Sequence, residues 1–522
     1  MDKEVFVIEF PLNVEKWQAD ILNKRYEHLR TLYNYVQGKL LRQYIYFAKM
    51  GEYKNCKTPK ERREFFKTHA FHIKGISGRN KFSLDITFTE YGIHSLVTKL
   101  AQHRIGADCT YGDKGINSMI LDHMAAYIWS SWNKKLYDIN ARRISFKNFG
   151  EINTFGVRKI NGARFCGLNL HLDIMTLDIK VNGKNGQQAK FISLPIRYNL
   201  KHADYEMNAL AGGFDSIKVL TVVRRMVRGR YKYYLQMTIE AVKPQKGRHL
   251  GNGRVGIDIG PTTIAVSSNS TVSIDKLAAK CDNIEQDIQR IGRKIDRSRR
   301  AMNPDNFNAD GTVKRGVRLT WVKSERYKAL CQEKAELQRK QAAIRKAQHI
   351  ERANTLISEG DTFIIESNPI KGWTARAKET KVSEKTGRIQ KKKRWGKSVA
   401  NHAPSMFVTI LENKVKSLGG TVIKADVKNA ASQYDFTDGT FNKHELDERG
   451  VTLSNGDTHQ RDMLSAFNLQ HLIYDAKELK QYDQQQMEIH YPRFCELEQQ
   501  EIEKYKQRIK TDDRSTIAAS RL

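Results

Sequence analysis

Apolar residues recur at three-to-five-residue steps from Trp17 through Ile21, Tyr26, Leu29, Tyr33 and Val36 to Leu40, the spacing of one buried helical face. Pro11 and Asn13 break the chain just before this run, and the first ten residues alternate charged and apolar as a strand does. Further helical stretches follow to about residue 145, among them 91–105 and 117–137. Between about 150 and 250 the period changes to two: Leu170, Leu172 and Ile174, then Tyr233, Leu235, Met237 and Ile239, fall on single strand faces. Arg228-Gly229-Arg230 reads as the tip of a hairpin between two such runs. Alternating strands with Gly turns predict a small barrel or sandwich, completed by the N-terminal strand, with the helical block as an insertion.

From Val255 the pattern becomes α/β. Three strand-like stretches reach about Ile274, then come a long helical region, a strand at 362–366, a helix at 404–418, a strand at 421–425 and a helix from Arg461. That succession is the ribonuclease-H-like order. Within it, Ile284, Ile288, Ile291 and Ile295 on one helix and Leu330, Leu337 and Ile344 on another predict a coiled-coil-like helical hairpin. Its connection, 303–316, is turn-rich and expected to be mobile. The Gln-, Glu- and Lys-rich tail after about 480 is expected to form a solvated helix ending in disorder.

Charge narrows the partner. The 522 residues carry 90 Lys+Arg against 58 Asp+Glu, a formal +32 with a pI near 9.7, which points to a polyanion. No run approaches eighteen consecutive apolar residues, which argues against a membrane span. The N-terminus lacks the features of a signal peptide and reads as that of an intracellular, cytoplasmic protein. Cys56, Cys109, Cys166, Cys281, Cys331 and Cys495 stand far apart with no C-x-x-C pair, so neither a disulfide framework nor a structural zinc is indicated.

Three short segments each bring one acid to an element end: Val-Gly-Ile-Asp258, Phe-Ile-Ile-Glu366 and Gln-Arg-Asp462. The first two close buried β-branched runs, and the third opens a helix, where a carboxylate also gains from the dipole. Singly, each reads as an ordinary strand end or helix start. Jointly, in this order, they are the candidate catalytic and metal-ligating residues, since hard oxygen ligands converging from a rigid sheet suit Mg²⁺ and phosphodiester hydrolysis. Residues 371–397 hold eleven basic residues against two acidic ones, and Lys391, Lys392, Arg394 and Trp395 offer phosphate contacts and base stacking. Gly396-Lys397-Ser398 mimics the end of a P-loop, but Lys391 stands where its first Gly is required. Arg290, Arg293 and Arg297 are candidates for duplex-backbone contacts from the first hairpin helix; a solvated helix face is the plainer reading.

The same motifs resemble the split RuvC nuclease domain of the transposon-encoded TnpB proteins and the compact type V CRISPR effectors. Asp462 is followed by Ser465, Ala466 and Asn468 and preceded by Arg461, similar to the family's Asp-x-x-Ala-Ala-x-Asn helix start; Ser432-Gln433 and 446–449 resemble its insert. Arg30-Thr-Leu-Tyr33-Asn34 and Gly229-Arg-Tyr-Lys-Tyr-Tyr look familiar too. The resemblance implies a multidomain α/β, β-barrel and helical chain. In it, 1–14 and 150–250 form a wedge-type barrel, 15–149 a recognition domain, and 251–428 with 458–478 the RuvC domain. A target-binding insert spans 429–457 and a helical or disordered tail 479–522. It implies RNA-guided DNA cleavage beside a short duplex motif, with guide RNA and target duplex DNA as partners of a monomer or homodimer. Two Mg²⁺ ions about 3.5–4 Å apart would be bridged by Asp258, with Glu366 and Asp462 each holding one. The family's insert usually carries a four-cysteine zinc ribbon; 429–457 contains no cysteine, and His444 and His459 cannot replace four ligands, so no structural zinc is expected. Two alternatives remain open: a nuclease-inactive RNA-guided repressor and a guide-independent structure-specific nuclease.

Overall fold

The computed structural model describes residues 4–511 except 78–79, 105–115, 117, 138–143, 159–164, 166, 183–189, 199–202, 243, 245–246, 369, 376–394, 444–447 and 474–480. The chain divides into two compact units, 1–246 and 247–522.

In the first unit the elements are β1 (Glu4–Leu12), α1 (Lys16–Phe47), α2 (Gly51–Asn55), α3 (Pro59–Thr68), β2 (Phe71–Ser77), β3 (Asn80–Ile86), α4 (Glu90–Arg104) and α5 (Ser118–Tyr137). Then follow β4 (Thr154–Arg158), β5 (Leu168–His171), β6 (Thr176–Asn182), β7 (Lys190–Pro195), α6 (Ala203–Ala209), α7 (Gly213–Ser216), β8 (Ile217–Val227) and β9 (Arg230–Ala241). β1 pairs antiparallel with β9 in a sheet ordered β1-β9-β8-β4, so the helices lie between strands of one sheet, as the patterning predicts. Leu22, Tyr26, Leu29, Tyr33, Val36 and Leu40 are buried, whereas Trp17, the first residue of the apolar run, is exposed. Arg224, buried in β8, pins α1 to the sheet through Asn23 Oδ1 at 2.8 Å and Glu27 Oε1 at 3.0 Å, stacked between Tyr26 and Tyr231. Arg228 (φ 51°) and Gly229 (φ 74°) turn β8 into β9. Both are left-handed, as a hairpin turn that follows the strand twist demands.

Two expectations need correction. The helical block also contains the β2–β3 hairpin, built on Phe71, Ile73 and Ile86. No closed barrel forms among the described residues, since β5, β6 and β7 make a separate three-stranded sheet. The exit of β7 meets β1 only at a Leu12–Ile196 bridge. Pro11 and Pro195 flank that bridge, contributing carbonyls to Arg197 and Asn13 but having no N–H with which to extend the ladder.

The second unit holds β10 (Arg254–Ile259), β11 (Thr263–Ser267), β12 (Val272–Lys276), α8 (Cys281–Met302), α9 (Glu325–Leu356), β13 (Thr362–Glu366), α10 (Ile370–Trp373), α11 (Gly396–His402), α12 (Pro404–Ser417) and β14 (Thr421–Ala425). These are followed by the two-stranded pairs β15 (Tyr434–Asp435) with β16 (Thr440–Phe441) and β17 (Gly450–Thr452) with β18 (Thr458–Gln460). Then come α13 (Arg461–Gln470), β19 (Leu472–Ile473), β20 (Gln481–Tyr482) and α14 (Gln484–Thr511). The central sheet runs β12-β11-β10-β13-β14, with β10–β13 and β13–β14 parallel and the other pairs antiparallel. Alternation along β10 and β13 sends Val255, Ile257, Phe363 and Ile365 into a core with Leu356, Phe407 and Leu411 of α9 and α12. Ile364 faces the opposite core, shared with Ala466 and Phe467 of α13 and Phe494 of α14.

Two connections differ from expectation here as well. The 303–316 segment is braced rather than loose: Asn303 donates to the carbonyls of Arg299 and Val322 and accepts from Val322 N–H, while Arg299 and Arg300 stack on Phe307. The final helix is not a solvated tail. Met487, Phe494 and Leu497 of α14 are buried in the second core, a stripe at seven- and three-residue steps in an otherwise polar sequence.

Candidate acid centre at the ends of the parallel strands

β10 and β13 run side by side with Ile257 opposite Ile365, which makes Asp258 and Glu366 the next positions on neighbouring strands about 4.8 Å apart. Both follow by two residues a position directed at α13, Gly256 and Ile364, and period two therefore sends both acids to that face. Gly256 is what lets the helix come close. A Cβ there would lie 1.9 Å from the Ala466 carbonyl oxygen and 2.4 Å from Gln470 N, a clash with backbone that no rotamer relieves. The close approach puts the first turn of α13, and Asp462 in it, over the end of β10. Gln460 caps that helix, its side-chain oxygen accepting from Met463 N–H at 2.7 Å. Asn468, one turn and a half further on, donates to the carbonyls of Ala431 and Tyr434 at 2.8 Å each and so fastens the start of the insert. Asn368 ties the two strand exits together by donating to Ile259 O at 3.2 Å.

The electrostatics follow from this packing. Burial pushes the Asp258 carboxyl up to about 7, and the charges of Asp462 and Glu366 push the same way, while Arg461 and the buried Ser465 hydroxyl oppose them. Glu366 is also raised by burial, against the hydrogen bond from Asn368. Asp462 is contacted at 3.4 Å by Arg449, which follows the insert's undescribed 444–447, and at 3.4 Å by its neighbour Arg461. Glu366 and Asp462, each about a hundred residues or more from Asp258 in sequence, thus both lie within electrostatic reach of it. The donor set is all carboxylate, the chemistry a hard divalent cation selects. It is not closed into a cage: among the described residues no group of three or more His, Cys, Asp or Glu side chains is arranged to hold a metal ion. Guanidinium groups partly neutralise Asp462 instead.

The candidate nucleic-acid contacts divide. Arg461 is half-buried beside Asp462. Arg290 is committed to Asp287 at 2.7 Å, and Arg299 and Arg300 to Asp296. Arg293 and Arg297 are exposed one turn apart with no ion-pair partner among the described residues. Trp395 is exposed at the start of α11. Lys391, Lys392 and Arg394 lie outside the described residues, as does His444.

Sequence reasoning missed Gly256, whose signal was available: a glycine inside an apolar strand marks a close backbone approach. Arg449 and Asn368 carried no comparable signal, because each acts through a contact set by the tertiary fold.

No protein-family model and no curated protein matches the chain. Among solved structures it is similar to a Cas12f1–sgRNA–target DNA complex, at 12% identity over 91% of this chain and 100% of that one, TM-score 0.46. It is also similar to the mini-RNA-guided endonuclease CRISPR-CasΦ3, at 10% over 90% and 93%, TM-score 0.34. A third is CasΦ-2 (Cas12j) bound to crRNA and phosphorothioate-DNA, at 10% over 89% and 91%, TM-score 0.30. These neighbours are compact type V CRISPR effectors. TM-scores below 0.5 leave the weight of any functional reading on the chain's own residues.

Proposed function

We propose that the chain is an RNA-guided DNA endonuclease with one RuvC-type site, in which Asp258, Glu366 and Asp462 are catalytic and hold two Mg²⁺ ions. The observation that carries this reading is the parallel register that sets Asp258 beside Glu366 at the ends of β10 and β13, with the charge of Asp462 reaching Asp258 from α13. Buried like charges on neighbouring elements are costly unless a cation is shared among them. The sheet order β12-β11-β10-β13-β14 with α13 on one face supports a ribonuclease-H-like domain. When bound, the cations would supply charge neutralisation at the phosphate and a more acidic water. The protein's own part is positional: the parallel register sets Asp258 beside Glu366, Gly256 admits α13, and the Gln460 cap directs Asp462 toward both. Asp258 must shed its proton to serve, so a proton competes with cation binding below about pH 7.

The motif resemblance and the +32 charge support a guide RNA and a DNA target, with sequence read by base pairing and the protein gripping backbone. On that reading 1–14 with 150–250 form the wedge, 15–149 the recognition region, and 429–457 the target-binding insert.

The test is purification with its nucleic acid, followed by cleavage of matched DNA with and without Mg²⁺. Bound RNA of defined sequence and cation-dependent cutting lost in Asp258→Ala support the proposal. Cutting without bound RNA would mean a guide-independent nuclease, and RNA-directed binding without cutting would mean a repressor.

A further inference from the structure

The C-terminal helix reaches back to the acid centre through a chain of hydrogen bonds that is buried where it meets Glu498. Glu498 of α14 is 4% exposed, and both its oxygens are used. One accepts from the His459 ring Nδ1 at 2.5 Å and the other from the backbone N–H of Gln460 at 2.7 Å. One face earlier on the same helix, Tyr491 donates its hydroxyl to Asp457 Oδ2 at 2.7 Å, and His459 Nε2 lies 2.7 Å from that hydroxyl. His459 is 5% exposed and sits on β18, whose last residue, Gln460, caps α13. Asp462 is two residues further. Glu498 therefore holds the backbone at the point where the insert hairpin becomes the helix bearing the third acid.

We infer that Glu498 is a positioning residue for Asp462, and that α14 clamps the cysteine-free insert to the acid centre. The inference rests on the reading of the three acids as a cation site. A carboxylate that satisfies a ring N–H and a main-chain N–H at once fixes two neighbouring residues in one geometry. Removing it leaves both donors buried without a partner, so the β18–α13 junction relaxes and Asp462 drifts from Asp258 and Glu366. Glu498→Gln keeps a carbonyl oxygen for Gln460 N–H and so retains the more important half of the clamp.

The experiment measures Mn²⁺ binding to the full chain by electron paramagnetic resonance, alongside single-turnover cleavage, guide binding and thermal unfolding. Glu498→Ala is expected to weaken Mn²⁺ binding about tenfold and slow cleavage by about thirtyfold, with guide binding within about twofold of wild type. Glu498→Gln is expected to recover most of both. A purely structural role would reduce the folded fraction and leave the Mn²⁺ affinity of folded protein intact. A folded Glu498→Ala whose Mn²⁺ affinity and rate match wild type overturns the inference. Should that variant fail to fold, Tyr491→Phe, which removes the hydroxyl at His459 Nε2, decides: unchanged Mn²⁺ affinity overturns the inference, and weakened affinity supports it. If wild type and Asp258→Ala bind Mn²⁺ alike, the acid-centre reading itself has failed, a result no Glu498 variant can mimic.

Discussion

Two sets of acids in the second unit, one buried and one half-buried, differ in what answers their charge. Glu498 accepts from His459 and Gln460, and Asp435, 3% exposed, accepts from Thr437 N–H, the Thr437 hydroxyl and Ser454 N–H. Asp258, by contrast, is answered chiefly by other acids, with only Arg461 and Ser465 in its favour. The first set holds the 435–460 stretch in place, since buried charge fully met by donors specifies one geometry. The second is electrostatically incomplete, and the proposed cation site rests on that incompleteness.

Substitution should separate the two sets, most sharply in activity. Replacing Asp258, Glu366 or Asp462 by Ala is expected to lower single-turnover cleavage by a factor on the order of 10³ or more with guide binding retained, because each removes a ligand for the cations. Glu366→Ala with full activity would break the comparison on its catalytic side. Gly256→Ala comes next. Its new methyl meets the Ala466 carbonyl and Gln470 amide of α13, so a loss of about 3 kcal/mol in stability and most of the cleavage rate is expected. Denaturant unfolding of the variant checks it.

Stability at fixed pH tests the comparison by sign. With a folded-state value of about 7 against the usual carboxylate value near 4, Asp258 costs nothing below about pH 4. Its penalty grows as pH rises from about 4 to about 7 and is constant above. Asp258→Asn is therefore expected to stabilise the metal-free protein by up to about 4 kcal/mol at pH 8 and by nothing measurable at pH 4. Asp435→Ala should move the other way, losing about 2 kcal/mol by stranding buried N–H donors. Thermal unfolding at both pH values, without divalent cations, reads both; stabilisation by neither or both would dissolve the distinction.

The smallest expected effect concerns the basic helix α8. Arg293→Ala or Arg297→Ala should each reduce the salt slope of nucleic-acid binding by about 1, whereas Arg290→Ala, whose charge already faces Asp287, should change it little. Equal slopes for all three would mean that ion pairing on the free helix does not predict which cations meet phosphate.

The strand and helix positions of the three candidate acids were legible because they depend on local pattern. Short β-branched runs ending at Asp258 and Glu366 specify strand ends, and parallel neighbours with period two then put both on one face. The helix start at Asp462 is equally local. What stayed hidden is non-local or compositionally masked. Met487, Phe494, Leu497 and Glu498 form a buried stripe, with Tyr491 half-buried beside it, inside a Gln- and Glu-rich helix, and averaging over that window makes it look solvated. Among the described residues β7 and β1 meet at a single bridge flanked by two prolines, a fact about strand pairing that neither strand states alone. The brace around Asn303 depends on Val322, nineteen residues away.

The central claim is that three acids far apart in sequence share cations at the ends of β10 and β13. Anomalous diffraction from crystals grown with Mn²⁺ tests it directly. Peaks bounded by the carboxylates of Asp258, Glu366 and Asp462, with Asp462 turned away from Arg449, are the predicted result. Mn²⁺ bound elsewhere, with Asp462 still paired to Arg449 at saturating cation, would contradict it.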